Sequence, residues 1–393
     1  MLPETVRDCA LDAAEGKLHR PEVIGTFKHL DDTYELVTRC ARDPNYQPCE
    51  DNRHEIIDGA NHKPREIEKP MFCPEQILHH MIIEPFKQVL LNGLYEQVYG
   101  CLPPTTKIDK NGKVTVKKYG PHNAIHQLKK WIQSGQKTYV CEMDIHHAYG
   151  SVHIATLVKQ LKRVIKDKDW IRLTCQFLHY KENDPESEEL CGLVLGHYTS
   201  PWFFNFYLKT FDHFAATLDG VKYLRFADNF FLVGTNKRKV HRALNDIKQY
   251  LKQHLRLELN GSTQVYRFEY VDKFGKVCGR AVNALGAVIH HNRTTLRKSI
   301  LKRMRRKAIR IAKKKDKVTW HDGSSMFSRL SWLRYTDIHT YYSKYIRPRI
   351  NIRLLKSKVS AHSKFFSPIY KKRRQIIYDG LEKSSRLTSG ETK

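Results

Sequence analysis

The sequence predicts a mixed α/β (α+β) fold with a largely antiparallel sheet and a strongly basic helical part near its C-terminal end. Three observations carry that prediction. The run Tyr223-Leu-Arg-Phe-Ala-Asp-Asn-Phe-Phe-Leu232 reads as two buried strands joined by a tight turn. Stretches of helical apolar spacing, such as 22–39, 121–134 and 237–257, lie on either side of it. From Arg297 to Lys317 there are twelve Lys or Arg, and Asp316 is the one acidic residue.

The centre of the apolar hairpin holds a carboxylate, Asp228. A buried carboxylate is costly unless it meets a cation, which calls for a second carboxylate and a metal between them. Val140-Cys-Glu-Met-Asp144 offers the partner, a short apolar run ending in an acid. Two strands that each present one Asp at a shared edge make a two-metal phosphoryl-transfer site.

Composition narrows the partner. The 393 residues carry a formal net charge of +28, an imbalance that a solvated surface of mixed sign does not explain. The phosphate backbone of a nucleic acid is the expected counterpart. The nine cysteines are scattered without a Cys-x-x-Cys pair, which fits a reducing cytoplasm. Residues 1–8 lack a basic stretch followed by an apolar core, so no signal peptide is expected. No apolar run is long enough to span a bilayer, so no membrane partner is expected.

Three motifs in order carry a resemblance. Asp144-Ile-His-His-Ala-Tyr-Gly-Ser-Val152 resembles motif A of reverse transcriptases, and Phe226-Ala-Asp-Asn229 is similar to their motif C. Between them, the stretch 192–208, with Gly-x-Tyr-Thr-Ser-x-x-x-x-Asn-x-Tyr-Leu at 196–208, resembles motif B of bacterial enzymes from defence systems and diversity-generating retroelements. The resemblance spans about residues 63 to 364 and implies a right-hand polymerase with fingers, palm and helical thumb. It implies catalytic residues Asp144, Asp228 and Asn229, and metal ligands Asp144, Ile145 and Asp228. The ions would be two Mg2+ about 3.5–4 Å apart, with Mn2+ as the alternative. Tyr149 stands where the family places its steric gate against the 2′-hydroxyl, and small Ala148 lets the backbone approach the nucleotide. Asn229 departs from the usual second Asp: it keeps an oxygen acceptor and loses the charge.

Along the chain, residues 1–60 are expected to form a helical extension, residues 61–290 fingers and palm, residues 291–380 a basic thumb, and residues 381–393 a disordered tail. Lys63, Arg65 and Lys69 alternate on one strand face, where Lys63 and Arg65 could grip a triphosphate. A helix is expected over 85–99. Asn111-Gly112 then signals a basic hairpin in place of the family's usual template-gripping loop. His122 and His126 have the spacing of a zinc pair but lack a matching ligand set, so surface histidines are the better reading. Gly196 should let backbone approach the nascent base pair. It leads into a helix over 200–214, with Thr199 and Ser200 as caps.

After the 237–257 helix and its following strand, 264–272 and 279–289 should pair as a hairpin. Its Ala284-Leu-Gly286 resembles a primer grip, so Gly286 joins the nucleic-acid contacts. A single-sign helix is poorly explained as a solvated face and suits a duplex backbone, with Arg297, Lys298, Lys302, Arg305 and Arg306 as contacts. A second helix pair over 324–346 follows, with Trp332 and Tyr335 expected in the core.

The implied activity is RNA-directed DNA synthesis from dNTPs on a bound noncoding RNA template, with a DNA product, in cytoplasmic antiphage defence. A second reverse transcriptase or a further copy of the chain would be the assembly partner. A diversity-generating retroelement enzyme and a catalytically weak RNA-binding scaffold are the alternatives.

Overall fold

The structure is a computed structural model that describes residues 3–17, 20–49, 52–57, 64–108, 114–117, 119–133, 137–364 and 375. The chain opens with helices α1 (Pro3–Ala14), α2 (Pro21–Lys28) and α3 (Leu30–Arg42). Strands β1 (Asn52–Ile57) and β2 (Pro64–Lys69) follow, then α4 (Ile77–Ile83), α5 (Lys87–Leu91), β3 (Val98–Tyr99), β4 (Thr105–Ile108) and β5 (Val114–Lys117). The central part runs α6 (Pro121–Ile132), β6 (Tyr139–Asp144), α7 (Ile154–Val164), α8 (Lys168–Phe177), α9 (Pro185–Glu188), α10 (Thr199–Tyr207) and α11 (Lys209–Thr217). Next come β7 (Val221–Phe226), β8 (Asn229–Gly234), α12 (Lys237–Leu255), β9 (Gln264–Arg267), β10 (Tyr270–Val271), β11 (Val277–Cys278), β12 (Val282–Ala284), β13 (Ala287–Ile289) and β14 (Thr294–Leu296). Helices α13 (Lys298–Lys314) and α14 (Trp320–Leu330) and shorter helical turns lead to a helix over 352–364.

A five-stranded sheet, ordered β3-β7-β8-β6-β9, forms the centre. The β3–β7 pair is parallel, and β7–β8, β8–β6 and β6–β9 are antiparallel. Both faces are covered, which is why β8 reads as an unbroken apolar run rather than an alternating one. Phe230 and Leu232 enter the larger core with α4, α7, α8, α10, α11 and α12. Phe231 and Val233, on the other face, join α6, β12 and β13. A third core, built from Met304, Ala308, Ile311, Met326 and Ile346, holds the C-terminal helices. The mixed α/β architecture is that of a right-hand polymerase.

Within the sheet lies a cation. Arg225, in the middle of β7, is fully buried and ion-paired at 2.7 Å with fully buried Asp212 of α11. Its guanidinium also donates to Asn205 of α10 at 2.9 Å and to the carbonyl of Ala227 at 3.1 Å. Tyr223 donates to the same Asp212 at 2.8 Å. Burial works against the charged guanidinium, and Asp212 more than offsets it, so Arg225 stays charged.

Several expectations change. Residues 52–57 are a strand paired with β2 and not part of a purely helical opening. The helix expected over 85–99 ends at Leu91, where Gly93 turns with positive φ, and Val98–Tyr99 join the sheet. The apolar 200–214 stretch breaks into α10 and α11 at Leu208. Thr199 and Ser200 are not its caps: the Ser200 hydroxyl donates to the carbonyl of Val194 at 2.6 Å, and Thr199 meets His79. The strand expected after α12 is reduced to a bridge between Leu259 and Ile145.

The expected 264–272/279–289 hairpin is divided. β9 pairs with β6, β10 with β11, and β12 with β13 across a turn in which Leu285 and Gly286 both have positive φ. That is the backbone of a two-residue hairpin turn. Antiparallel pairing of β4 and β5 matches the expected basic hairpin, although Asn111-Gly112 lie outside the described residues, as does the tail from 384. Tyr335 is 47% exposed, so it is not core. It stacks on His122 of α6 at 3.6 Å.

Removing either member of the Arg225–Asp212 pair strands a charge in the core, at a cost of about 3–5 kcal/mol. Arg225→Met and Asp212→Asn should each lower the unfolding free energy of the full chain by that amount, read as a fall in the denaturant midpoint at unchanged slope. An unchanged midpoint would show that the pair does not hold the sheet to α11.

Candidate active site

Asp144 is the last residue of β6 and lies opposite Asn229, the first residue of β8, in the antiparallel register. Asp228 precedes it in the two-residue turn after β7, where Ala227 adopts a positive φ of 51°. Ile145 donates from its backbone to the carbonyl of Asp228 at 3.3 Å, so the two acidic residues sit at one end of one strand pair. Asn260 donates to the carbonyl of Asp144 at 2.7 Å, fixing the other side. Both carboxylates are half-buried while the residues behind them, Met143 and Phe230, are buried. Hard oxygen donors of this kind suit Mg2+.

Asn229 has a contact that an aspartate could not make. Its side-chain amide donates to Oδ1 of Asp228 at 2.8 Å. A carboxylate in that place would put like charge against Asp228. The Asn therefore orients its neighbour as well as offering an oxygen.

Arg225 supports the turn from beneath through the Ala227 carbonyl. Segment 97–101 supports it from the side: Tyr99 accepts from the Ala227 amide at 3.0 Å, and Asn205 donates to the Gly100 carbonyl at 3.4 Å. At Gly100 (φ +90°) a Cβ would stand 3.1 Å from the Ala227 nitrogen. Arg225, Asp212, Asn205 and Gly100 were not singled out from sequence. An arginine inside an otherwise apolar strand was the available signal, since it demands a buried acid.

Tyr149 packs its ring on Phe204 of α10, with centroids 4.8 Å apart and nearly parallel planes. Burial, then Cys101 and the charge of Asp228, raise its phenol well above the usual range, so it is neutral beside the two acids. Ala148 is buried next to it. Leu193 donates to the Tyr149 carbonyl at 2.8 Å, linking motif A to the loop before α10.

Gly196 meets protein. Its φ is +114°, and an added Cβ would lie 2.0 Å from the carbonyl oxygen of Glu68 on β2. Glu68 also donates to the Leu195 carbonyl at 2.9 Å. The glycine thus lets β2 lie against the motif B loop. Arg65 occupies β2 opposite Ile56, and Lys63 lies outside the described residues. Lys69 faces Glu22 at 3.9 Å.

Gly286 turns β12 into β13, packs near Ile300 and Trp332, and accepts from the Arg297 amide at 3.0 Å. The Arg297 side chain is bonded to Asn283 at 2.5 Å. Lys298, Lys302, Arg305 and Arg306 are exposed and share one stripe of α13, away from buried Met304, Ala308 and Ile311. Arg305 covers the ring of Tyr345 at 4.8 Å. Lys307 and Lys314, by contrast, both donate to the single Asp322 carboxylate at 2.7 Å.

Residues 80–266 match the sequence profile of the reverse transcriptase (RNA-dependent DNA polymerase) family. The chain carries a reverse transcriptase domain. Domains of this family are RNA-directed DNA polymerases, a class of nucleotidyltransferase. No curated protein matches the chain in sequence. Among solved structures it is similar to apo telomerase from Candida tropicalis truncated from the C-terminal domain (13% identity, TM-score 0.41), covering 67% of this chain and 59% of that one. It is also similar to Candida albicans telomerase in complex with a TWJ fragment of telomeric RNA (11% identity, TM-score 0.43), covering 86% of this chain and 60% of that one. The chain therefore spans about three fifths of the length of both. No described helix of the reverse transcriptase domain or its flanks is long and apolar enough to cross a membrane.

Gly196→Ala should separate β2 from the motif B loop, because the added methyl cannot coexist with the Glu68 carbonyl and the φ is strained. A stability loss of about 1–3 kcal/mol is expected, with faster proteolysis within 52–69. Parent-like melting and proteolysis would show that the contact is dispensable.

Proposed function

We propose that this chain makes cDNA from dNTPs on a bound noncoding RNA template, with Asp144 and Asp228 as its catalytic carboxylates. The observation that carries the reading is the convergence of those two acids at one end of paired β6 and β8, inside the matched reverse transcriptase domain. Asp144 and Asp228, with Ile145 beside them, would hold divalent Mg2+. When bound, such ions activate the primer 3′-hydroxyl and neutralise the triphosphate.

The remaining work falls to the chain itself. Asn229 keeps the Asp228 carboxylate oriented through its amide, and Arg225 keeps the turn in register. Tyr149, braced by Phe204, presents an aromatic wall that leaves no room for a 2′-hydroxyl. The exposed cations Lys298, Lys302, Arg305 and Arg306 grip a template–product duplex through its phosphates, which positions it without reading its sequence. Lys63 and Arg65 are the proposed triphosphate contacts, and Gly286 the proposed contact to the primer end. Residues 61–290 act as fingers and palm and 291–380 as thumb. The motif B resemblance supports a cytoplasmic antiphage role, beside a second reverse transcriptase or another copy of the chain.

Asp144→Ala or Asp228→Ala should reduce metal-dependent dNTP incorporation on the copurified RNA by at least about 10³-fold, comparable to the loss of one strong electrostatic group in a polymerising site. Folding and RNA binding should persist, since phosphate contacts lie elsewhere. Parent-like incorporation by either variant would remove the assignment, and a parent inactive with both Mg2+ and Mn2+ would leave an RNA-binding scaffold.

Tyr149→Val should admit ribonucleotides. The measurement is the ratio of rNTP to dNTP incorporation under identical metal, and a ratio unchanged from the parent would make Tyr149 a packing residue only.

A further inference from the structure

The N-terminal helices supplied no chemistry from sequence alone, yet one of them brings an acid to an unusual place. His80 and Glu84 are one helical turn apart at the end of α4, with His80 Nδ1 3.9 Å from Glu84 Oε1. Asp12 of α1 closes the group: one ligand atom from each of Asp12, His80 and Glu84 lies within 4.8 Å of the others. Among the described residues this is the one group of three or more His, Cys, Asp or Glu residues so arranged. It is separate in sequence and in secondary structure from Asp144 and Asp228.

The second observation is independent of the acids. His80 is only 6% exposed, and its Nδ1 is buried without a hydrogen-bond partner. Leaving a buried ring nitrogen unpaired is destabilising in ordinary protein interiors, so its persistence needs a reason. The plane of the ring is set by Tyr198, on which it stacks at 3.8 Å with planes 7° apart. The Tyr198 hydroxyl in turn donates to Glu84 Oε1 at 2.7 Å. Thus an aromatic neighbour orients both the imidazole and the carboxylate.

We propose that Asp12, His80 and Glu84 bind a zinc ion that clips α1 to the end of α4. One imidazole and two carboxylates form a mixed nitrogen and oxygen set that zinc accepts readily and that magnesium, preferring oxygen, does not. The ion gives the orphaned His80 nitrogen its partner and relieves the crowding of Asp12 against Glu84.

Lys87 holds the other Glu84 oxygen, Oε2, at 3.0 Å, which leaves Oε1 facing His80. Buried Cys9 is not among the three residues whose ligand atoms converge. Solvent completes the coordination on the exposed side of Asp12. Because Tyr198 stands immediately before α10, the clip joins the N-terminal extension to the loop that carries Gly196.

The test uses the full chain, stripped with a chelator and titrated with zinc against a competing chromophoric chelator. The parent should take up about one zinc at this site, the stoichiometry of a mononuclear centre, and its melting temperature should rise with zinc concentration. Asp12→Asn, at an exposed position, and Glu84→Gln should each weaken uptake by more than about tenfold and abolish the melting shift, a loss at least as large as that from removing a group that only hydrogen-bonds a metal ligand. Asp228→Ala should bind zinc as the parent does, which separates this site from the polymerising one whatever its activity. The proposal is overturned if the stripped parent takes up no zinc, if Asp12→Asn and Glu84→Gln bind it undiminished, or if only Asp228→Ala loses it.

Discussion

The Arg225–Asp212 ion pair is the constraint around which the centre of the molecule is arranged. A guanidinium with no solvent exposure survives in a protein core only when its donors meet acceptors, and here each direction is used. Nε and Nη2 reach Asp212, and Nη1 reaches both Asn205 and the Ala227 carbonyl. Those three residues belong to α11, α10 and the turn that presents Asp228. One side chain therefore sets where two helices and the turn stand relative to β7. Geometry at Asp228 follows from that pairing before any substrate contact is considered.

What could be read from sequence was what depends on local pattern. The hairpin 223–232 and the strand ending at Asp144 were legible because two covered sheet faces demand continuous apolar runs. Antiparallel β4 and β5 were legible from turn chemistry. Features set by distant partners were not. Asp212 and Arg225 are 13 residues apart on different elements, and nothing in either neighbourhood names the other. Gly196 was expected to make room for a base pair, and the space its missing side chain leaves is taken by a backbone oxygen 128 positions earlier, at Glu68. Thr199 and Ser200 had the residue types of caps, but the loop carbonyl of Val194 and the ring of His79 compete for their hydroxyls. The helix expected over 85–99 failed because a short parallel pairing with β7 outweighed its spacing.

The basic C-terminal helices show a similar division. Twelve basic residues over 297–317 read as one cationic surface, whereas the fold sorts them. Arg297 is bonded to Asn283, and Lys307 and Lys314 converge on Asp322, which also closes a capping box with Thr319 at the start of α14. Two ammonium groups and Thr319 hold the Asp322 carboxyl well below the usual carboxylate range despite burial, which records that arrangement. The cations left on the exposed stripe of α13 are the ones available to a polyanion.

These two electrostatic systems respond differently to ionic strength. At about 0.15 M salt the screening length is about 8 Å in solvent, and exposed charges feel it fully. Counterions would compete for any phosphate bound at the α13 stripe, so affinity there would fall steeply as salt rises. Around Arg225 and Asp212 there is no solvent in which ions could gather. Salt can therefore strip a polyanion from the surface while the turn bearing Asp228 keeps its shape. The molecule has one charge pair that the medium cannot reach and another set that the medium controls.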